Sequence, residues 1–139
     1  ISAAITAAET GHLVLSTLHT TSAAQTIERI IDAYPAHGQS QARTQLANVL
    51  RGIVTQQLIP MEDGTGMAMA TEILINTDAI ANQIRENKTH QIVSSMQGGA
   101  ALGMHTLNAD LKRLVPEQKI TEEMARKYST NVKDFEMQR

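Results

Sequence analysis

The 139-residue chain contains no cysteine and no tryptophan, and it has only two tyrosines and one phenylalanine. The lack of cysteine excludes disulfides and thiolate metal sites, and it fits a reducing cytoplasm. Because so few aromatic side chains are present, we expect five of the methionines to fill a core or an interface: Met61, Met67, Met69, Met96 and Met104.

Three further absences limit the class of function. The formal net charge is only −2, so no excess of positive charge draws the chain to nucleic acid or to an anionic membrane. No apolar run approaches the roughly 18 residues of a membrane span, and no signal-peptide pattern is present. The sequence also lacks Gly-x-x-x-x-Gly-Lys-Ser/Thr, the phosphate-binding loop that supports phosphoryl transfer from ATP.

The most informative stretch is 9–23, where two histidines flank an apolar run and a cluster of hydroxyl groups follows. The run Leu13–Leu15 predicts a short strand that is buried on both faces. Ser22 and Gln25 have the spacing of a capping box, which predicts the start of a helix. The free N–H groups of a helix start favour anions, so His19, at the end of the strand, is predicted to face a phosphate.

The remaining pattern predicts an α/β fold. Residues 1–10 have a helical pattern but no capping residue before them, so we expect the first helix to be truncated at its N-terminal end. An amphipathic helix is predicted over 22–34 and a second one from Ser40. Strands are predicted over Thr55–Met61 and Met67–Ile75, on either side of an Asp-Gly-Thr-Gly turn. The chain beyond Asn76 has a helical pattern.

Several blocks resemble the type IV pilus retraction ATPases, the PilT family of the type II/IV secretion ATPase superfamily. They occur in that family's order, and they are the histidine box 9–23, Ile30–Pro35, Glu72–Leu74, Ala79–Glu86 and Gly103–Leu107. The resemblance implies the C-terminal part of a RecA-like P-loop ATPase domain (1–76), a helical C-terminal region (77–128) and a loosely ordered tail (129–139). The absence of cysteine also fits the retraction ATPases of this superfamily. Pilus-extension and type II secretion ATPases commonly carry a four-cysteine zinc module in this half of the protein, and retraction ATPases do not.

The resemblance also implies the site residues. His19 aligns with the histidine that contacts the γ-phosphate of ATP, and His12 is expected either to make a catalytic contact or to hold the strand. Thr20 and Thr21 are candidates for nucleotide binding, with a helix-start role as the alternative. Most ligands of ATP and Mg²⁺ would precede Ile1. The other three histidines lack zinc-ligand spacing, so no metal site is predicted within the chain.

A helix at Ala79–Glu86 resembles the family's Ala-Ile-Arg-Asn-Leu-Ile-Arg-Glu element, which couples hydrolysis to retraction. The chain departs from that element at Ala81 and Gln83. The isoleucines one turn apart share a helix face and are expected to pack inward, whereas the arginine and glutamate are left toward solvent or a partner. The residues predicted to form this coupling element are Ile80, Asn82, Ile84, Arg85 and Glu86.

The resemblance predicts a portion of a hexameric ATPase that powers pilus retraction. The expected partners are further copies of the chain and the inner-membrane platform protein of the pilus, and the expected location is the cytoplasm, peripheral to the inner membrane. An assembly or secretion ATPase without the zinc module is the first alternative. A non-catalytic helical interaction module is an alternative of another class.

Overall fold

The structure is a computed structural model, and it describes residues 1–137. Within that range the chain forms a two-stranded sheet and a set of helices. The strands are β1 (Gly52–Pro60) and β2 (Met67–Ile75). The helices are α1 (Ser2–Glu9), α2 (Ala23–Asp32), α3 (Gln39–Val49), α4 (Asp78–Arg85), α5 (Ile92–Gln97), α6 (Leu107–Leu114), α7 (Glu122–Tyr128) and α8 (Val132–Met137). None of these helices has the length and the hydropathy to cross a bilayer.

The two strands form the predicted antiparallel hairpin. Residue pairing runs without a bulge from Gly52 opposite Ile75 to Pro60 opposite Met67. Gly64 has a φ of 74°, a left-handed conformation that costs glycine little and therefore suits the turn. The return strand has the predicted bounds, and the first strand begins three residues earlier than predicted, since the alternation of buried and exposed residues already starts at Ile53.

The inner face of the hairpin serves two separate cores. Near the open end, Leu74 packs with α2, α3, α4 and α5; we call this unit the first lobe. Near the turn, Ile59, Ala68 and Ala70 pack with α6, α7 and α8, which form the second lobe. The carboxylate residue Glu72 lies between the two apolar groups on the same face of β2. The hairpin therefore links the two lobes.

The predicted strand at Leu13–Leu15 is not formed. Residues 12–20 contain no helix or strand, and no segment within 1–137 pairs with them. Leu13 is 83% exposed and Leu15 is 86% exposed, so the expectation of burial on both faces was wrong for this structure. A strand is defined by hydrogen bonds to a neighbouring strand, and an apolar run alone does not supply that neighbour.

The segment predicted as a loosely ordered tail contains helix α8. Phe135 is only 4% exposed and packs in the second lobe, and Asn108 of α6 bonds to the segment just before the helix. The prediction relied on the small number of apolar residues after Ser129, and it missed that one of them enters a core. The last two residues, 138 and 139, lie outside the described residues.

Candidate functional site

The segment of the histidine box crosses from α1 to α2 on the surface of the first lobe. The Nδ1 atom of His12 lies 3.1 Å from the carbonyl oxygen of Ala7 and 3.2 Å from Oγ1 of Thr10. A protonated Nδ1 donates to the Ala7 carbonyl, which has no partner within α1 and also accepts from the His12 N–H and the Thr10 hydroxyl. This contact favours the second of the two roles considered for His12, that of holding the chain.

His19 has a different environment. Its side chain is exposed, and among residues 1–137 no group forms a hydrogen bond or an ion pair with the imidazole. The ring is thus available to a ligand or to another molecule. The two threonines that follow it, in contrast, form hydrogen bonds within the chain.

The hydroxyl groups that follow His19 are both engaged within the chain. Oγ1 of Thr20 lies 2.6 Å from Oγ1 of Thr26, which itself donates to the Ser22 carbonyl, so the Thr20 hydroxyl is the donor of the pair. The backbone N–H and the hydroxyl of Thr21 both donate to the Gln25 side-chain oxygen, at 2.8 and 2.9 Å. These bonds fix the backbone that carries His19.

The capping box is formed with one change. Ser22 Oγ accepts from the Gln25 N–H at 3.1 Å, as the sequence predicts. In a capping box the side chain of the fourth residue accepts from the N–H of the capping residue, but here the Gln25 oxygen accepts from the Thr21 N–H and not from that of Ser22. The start of α2 is therefore closed by local side chains that a sequence pattern can identify.

Glu72 supplies the anion at the start of α2. Its Oε1 accepts from the Ala23 N–H at 2.8 Å, and the residue is 4% exposed. A helix N-terminus attracts negative charge, and here the chain's own carboxylate accepts from the first N–H of the helix. Sequence reasoning did not single out Glu72 as a site residue. The sequence does contain a clue to its role. Glu72 is a charged residue on the face of β2 that also carries Ala68, Ala70 and Leu74, where the alternation predicts an apolar side chain.

The predicted coupling element forms helix α4. Thr77 caps it by accepting from the Ile80 N–H at 3.2 Å. Ile80 and Ile84 are fully buried in the first lobe, as their spacing predicts. Arg85 is exposed and donates to Asn48 Oδ1 at 2.8 Å.

The remaining polar residues of this element lie on its surface or at its end. Asn82 is exposed, and Glu86 forms an ion pair of 3.0 Å with Lys88, whose hydrogen bond and charge lower the pKa of Glu86. The two departures from the family pattern lie elsewhere. Ala81 is buried in the first lobe, and Gln83 exchanges hydrogen bonds of 2.8 and 3.2 Å with Ser95 of α5.

An ionic contact joins α2, α3 and the turn before α5. Both carboxylate oxygens of Glu28 accept from Arg43 at 3.4 Å, and one also accepts from Thr89 at 2.8 Å. Burial raises the pKa of Glu28, but the Thr89 hydroxyl and the Arg43 guanidinium outweigh that effect and lower it. Within residues 1–137, no group of three or more His, Asp or Glu side chains could hold a metal ion.

A groove of about 790 Å³ separates the two lobes on one side of the hairpin. Thr21 and Gln25 line it from the first lobe, Asn108 lines it from the second, and Glu72 lies at the hairpin between them. Its lining is mostly uncharged and polar, so it lacks the apolar walls that are typical of small-molecule sites.

Comparisons with known proteins agree on one family. A family model described as "Type II/IV secretion system protein" matches residues 1–138. A "Twitching motility protein" of Neisseria gonorrhoeae is 46% identical over 131 residues, or 94% of this chain and 35% of that protein. The "Type IV pilus retractation ATPase PilT" of Pseudomonas aeruginosa is 47% identical over 132 residues, or 95% of this chain and 38% of that protein.

A solved structure gives the same result for the fold. The crystal structure of "the Pilus Retraction Motor PilT and Bound ADP" superposes with a TM-score of 0.86 at 43% identity, and it covers 98% of this chain and 38% of that one. The α/β fold class and the family resemblance read from the sequence are thereby confirmed. The chain spans little more than a third of the length of these relatives.

Proposed function

The chain belongs to the Type II/IV secretion system protein family, and we propose that it works as the C-terminal portion of an ATPase motor that retracts type IV pili. The observation that carries this proposal is the similarity, over 98% of the chain, to a retraction motor that was solved with ADP. The retraction ATPase of P. aeruginosa supports the same assignment at 47% identity.

His19 is the residue that we assign to the γ-phosphate of ATP. Its imidazole is exposed and has no partner within residues 1–137, whereas Thr20 and Thr21, which follow it, are tied to α2 by hydrogen bonds. A free ring on a fixed backbone is suited to sense or stabilise charge on a terminal phosphate without reorganisation. Thr20 and Thr21 contribute to nucleotide binding by holding that backbone, and His12 orders the segment from its other end.

The rest of the catalytic machinery would come from a part of the complete protein that corresponds to the portion of the relatives outside the match. The sequence has no phosphate-binding loop, and its described residues hold no cluster suited to Mg²⁺. Because residues 1–137 hold no such cluster, no catalytic step is assigned to the metal. This chain contributes His19 and the lobes that respond to the nucleotide.

The proposed motor is a hexamer located at the cytoplasmic face of the pilus base. Its outer partner is the inner-membrane platform protein, and the coupling element is α4 with Arg85 and Glu86 at its exposed end. The proposal includes no nucleic-acid partner, since the net charge of −2 supplies no overall attraction to phosphate backbones.

A motor of the same family with a different task is the second candidate. The observation that favours it is the pair Ala81 and Gln83, which replaces the arginine and leucine of the retraction element. Both residues fit their surroundings in this chain: Ala81 is buried in the first lobe, and Gln83 forms a hydrogen bond with Ser95. Assembly and secretion ATPases without a zinc module are included in this candidate.

The experiment that tests the proposal uses the complete product of the gene that encodes this chain. We expect magnesium-dependent phosphate release from ATP, at about 1 per second or more in a malachite-green assay, and a six-subunit ring by light scattering. The 139-residue chain alone should release no phosphate above background. Deletion of the gene should give hyperpiliated cells that do not twitch. Bald cells would instead support the assembly motor, and a complete protein without ATP turnover would contradict both motors.

A further inference from the structure

The buried carboxylate of Glu72 is bonded to both lobes at once. Oε1 accepts from the Ala23 N–H at 2.8 Å, at the first residue of α2 in the first lobe. Oε2 accepts from the Leu107 N–H at 3.0 Å, at the first residue of α6 in the second lobe. One side chain thus satisfies an otherwise unpaired donor at the start of two helices that are distant in sequence.

Glu72 lies at the boundary between the two lobes. The apolar residues of the hairpin's inner face divide between the two cores, and Glu72 lies where they meet. On the groove side the lobes are separated by open space, so the carboxylate bridges them at the hairpin. A shift of α2 along its axis would therefore lengthen the bond to Oε1, or pull α6 through the carboxylate.

We propose that Glu72 is a positioning residue that transmits movement of the His19–Thr21 segment, through α2, to α6 and the second lobe. The proposal rests on the function proposed above, because it assumes that His19 meets the nucleotide. Since Ser22 caps α2 and Thr21 is bonded to Gln25 of the same helix, a displacement of His19 moves the helix start. Glu72 then couples that displacement to the Leu107 N–H.

The charge and the length of the side chain are both required. A glutamine has one acceptor oxygen and presents an NH₂ donor to the second N–H, so Glu72→Gln keeps at most one of the two bonds. An aspartate is one methylene shorter and cannot reach both donors, so Glu72→Asp keeps the charge and loses the bridge. The two variants therefore share one defect, the loss of a simultaneous bond to α2 and α6.

Asp110 offers a matched control. It is also buried, and it also accepts a backbone N–H, that of Thr71 at 2.7 Å, while it pairs with Arg113 at 2.7 Å. These contacts link α6 to the strand that supports it and do not reach α2. Asp110→Asn should lower the melting temperature much as Glu72→Gln does, but it leaves the bridge intact.

The test compares these variants in the complete gene product. We expect Glu72→Gln and Glu72→Asp to lower kcat for ATP by about tenfold to a hundredfold, the scale of a small misplacement at a catalytic group, with nucleotide Kd nearly unchanged. Asp110→Asn should keep kcat near wild type at a similar loss of melting temperature. Wild-type kcat in both Glu72 variants, or an equal loss of kcat in the Asp110 variant, would overturn the proposal.

Hydrogen–deuterium exchange provides a second measurement that needs no variant. In the wild-type protein, peptides that contain Ala23 and Leu107 should change their exchange together when magnesium-ADP is added. A change at Ala23 with none at Leu107 would overturn the link even if the Glu72 variants fail to fold. If the wild-type protein neither binds nor hydrolyses ATP, the proposed function itself fails. A separate exchange comparison of Glu72→Asp with the wild type then decides the link: faster exchange at both Ala23 and Leu107 would support it, and faster exchange at neither or at only one would overturn it.

Discussion

Arg85 donates a hydrogen bond of 2.8 Å from its guanidinium to the side-chain oxygen of Asn48, which lies 37 residues earlier in the chain. The bond holds the exposed end of α4 against α3. It uses one of the five N–H donors of the guanidinium, so the others remain for a partner. Arg85 is therefore oriented by the chain and still able to act on another molecule.

The first prediction separates these two uses of Arg85. We expect Arg85→Ala to abolish twitching while the ATPase rate of the purified protein stays within about twofold of wild type. The reason is that the guanidinium bonds to Asn48 of α3 and to no residue of the histidine box within residues 1–137. Twitching zones on agar and phosphate release measure the two activities.

Asn48→Ala is the control for that experiment. It removes the intrachain bond and leaves the guanidinium in place, so twitching should be reduced slightly or not at all. Equal loss of twitching in both variants would mean that the bond to Asn48 matters and not a partner contact. Equal loss of twitching and ATPase in Arg85→Ala would remove α4 from the coupling role.

The second prediction concerns His19. We expect His19→Ala to lower ATP turnover by about a hundredfold, the range seen when one preorganised group is removed from a transition state, with little change in nucleotide Kd. The imidazole makes no bond within residues 1–137, so the melting temperature should also be unchanged. Steady-state turnover and calorimetric binding on the same preparation separate the effects.

His37→Ala is a suitable control, because His37 is likewise exposed but lies in the short turn after α2. It should leave both turnover and binding unchanged. Unchanged turnover in His19→Ala would exclude His19 from the mechanism.

The third prediction is a pH dependence of stability that arises from Asp110. Burial raises its pKa, but the Arg113 guanidinium, the Thr71 N–H and the positive charge of His105 together lower the pKa below its ordinary 3.8. A group with a lowered pKa stabilises the fold above its unfolded pKa, and that contribution is lost as the pH falls through the folded value. The loss should therefore occur below about pH 4.

Urea unfolding of wild type and Asp110→Asn, at pH 7 and at pH values down to about 3, measures this effect. The wild type should be the more stable protein at pH 7, and the difference in unfolding free energy should shrink as the pH falls below about 4. A difference that stays constant with pH would mean that the charge of Asp110 contributes nothing to stability.

The fourth prediction tests whether α8 belongs to the second core. Phe135 is 4% exposed, and the Lys112 ammonium lies 5.3 Å from the centre of its ring. Phe135→Ala should lower the unfolding free energy by about 3 kcal/mol, since it removes a buried aromatic side chain and leaves a cavity. Val132→Ala, on the same helix at 47% exposure, should cost less than about 0.5 kcal/mol. Equal and small effects would show that the helix does not contribute to the core.

The sequence alone determined those features whose causes are local. The return strand Met67–Ile75 follows from residue alternation after a glycine-containing turn, and the start of α2 follows from the capping residue Ser22. The inward packing of Ile80 and Ile84 follows from the helical repeat. Each of these needs only neighbours within a few positions, which a sequence pattern contains.

The tertiary structure decided those features that depend on a partner far away in the chain. Leu13–Leu15 has the composition of a buried strand, but no segment within 1–137 provides hydrogen bonds to it. Phe135 looks like an isolated apolar residue in a polar tail until α6 places a core beside it. The anion at the start of α2 is Glu72, 49 positions from Ala23. A free N–H donates to whichever acceptor the fold brings within about 3 Å, so only the assembled chain could select Glu72.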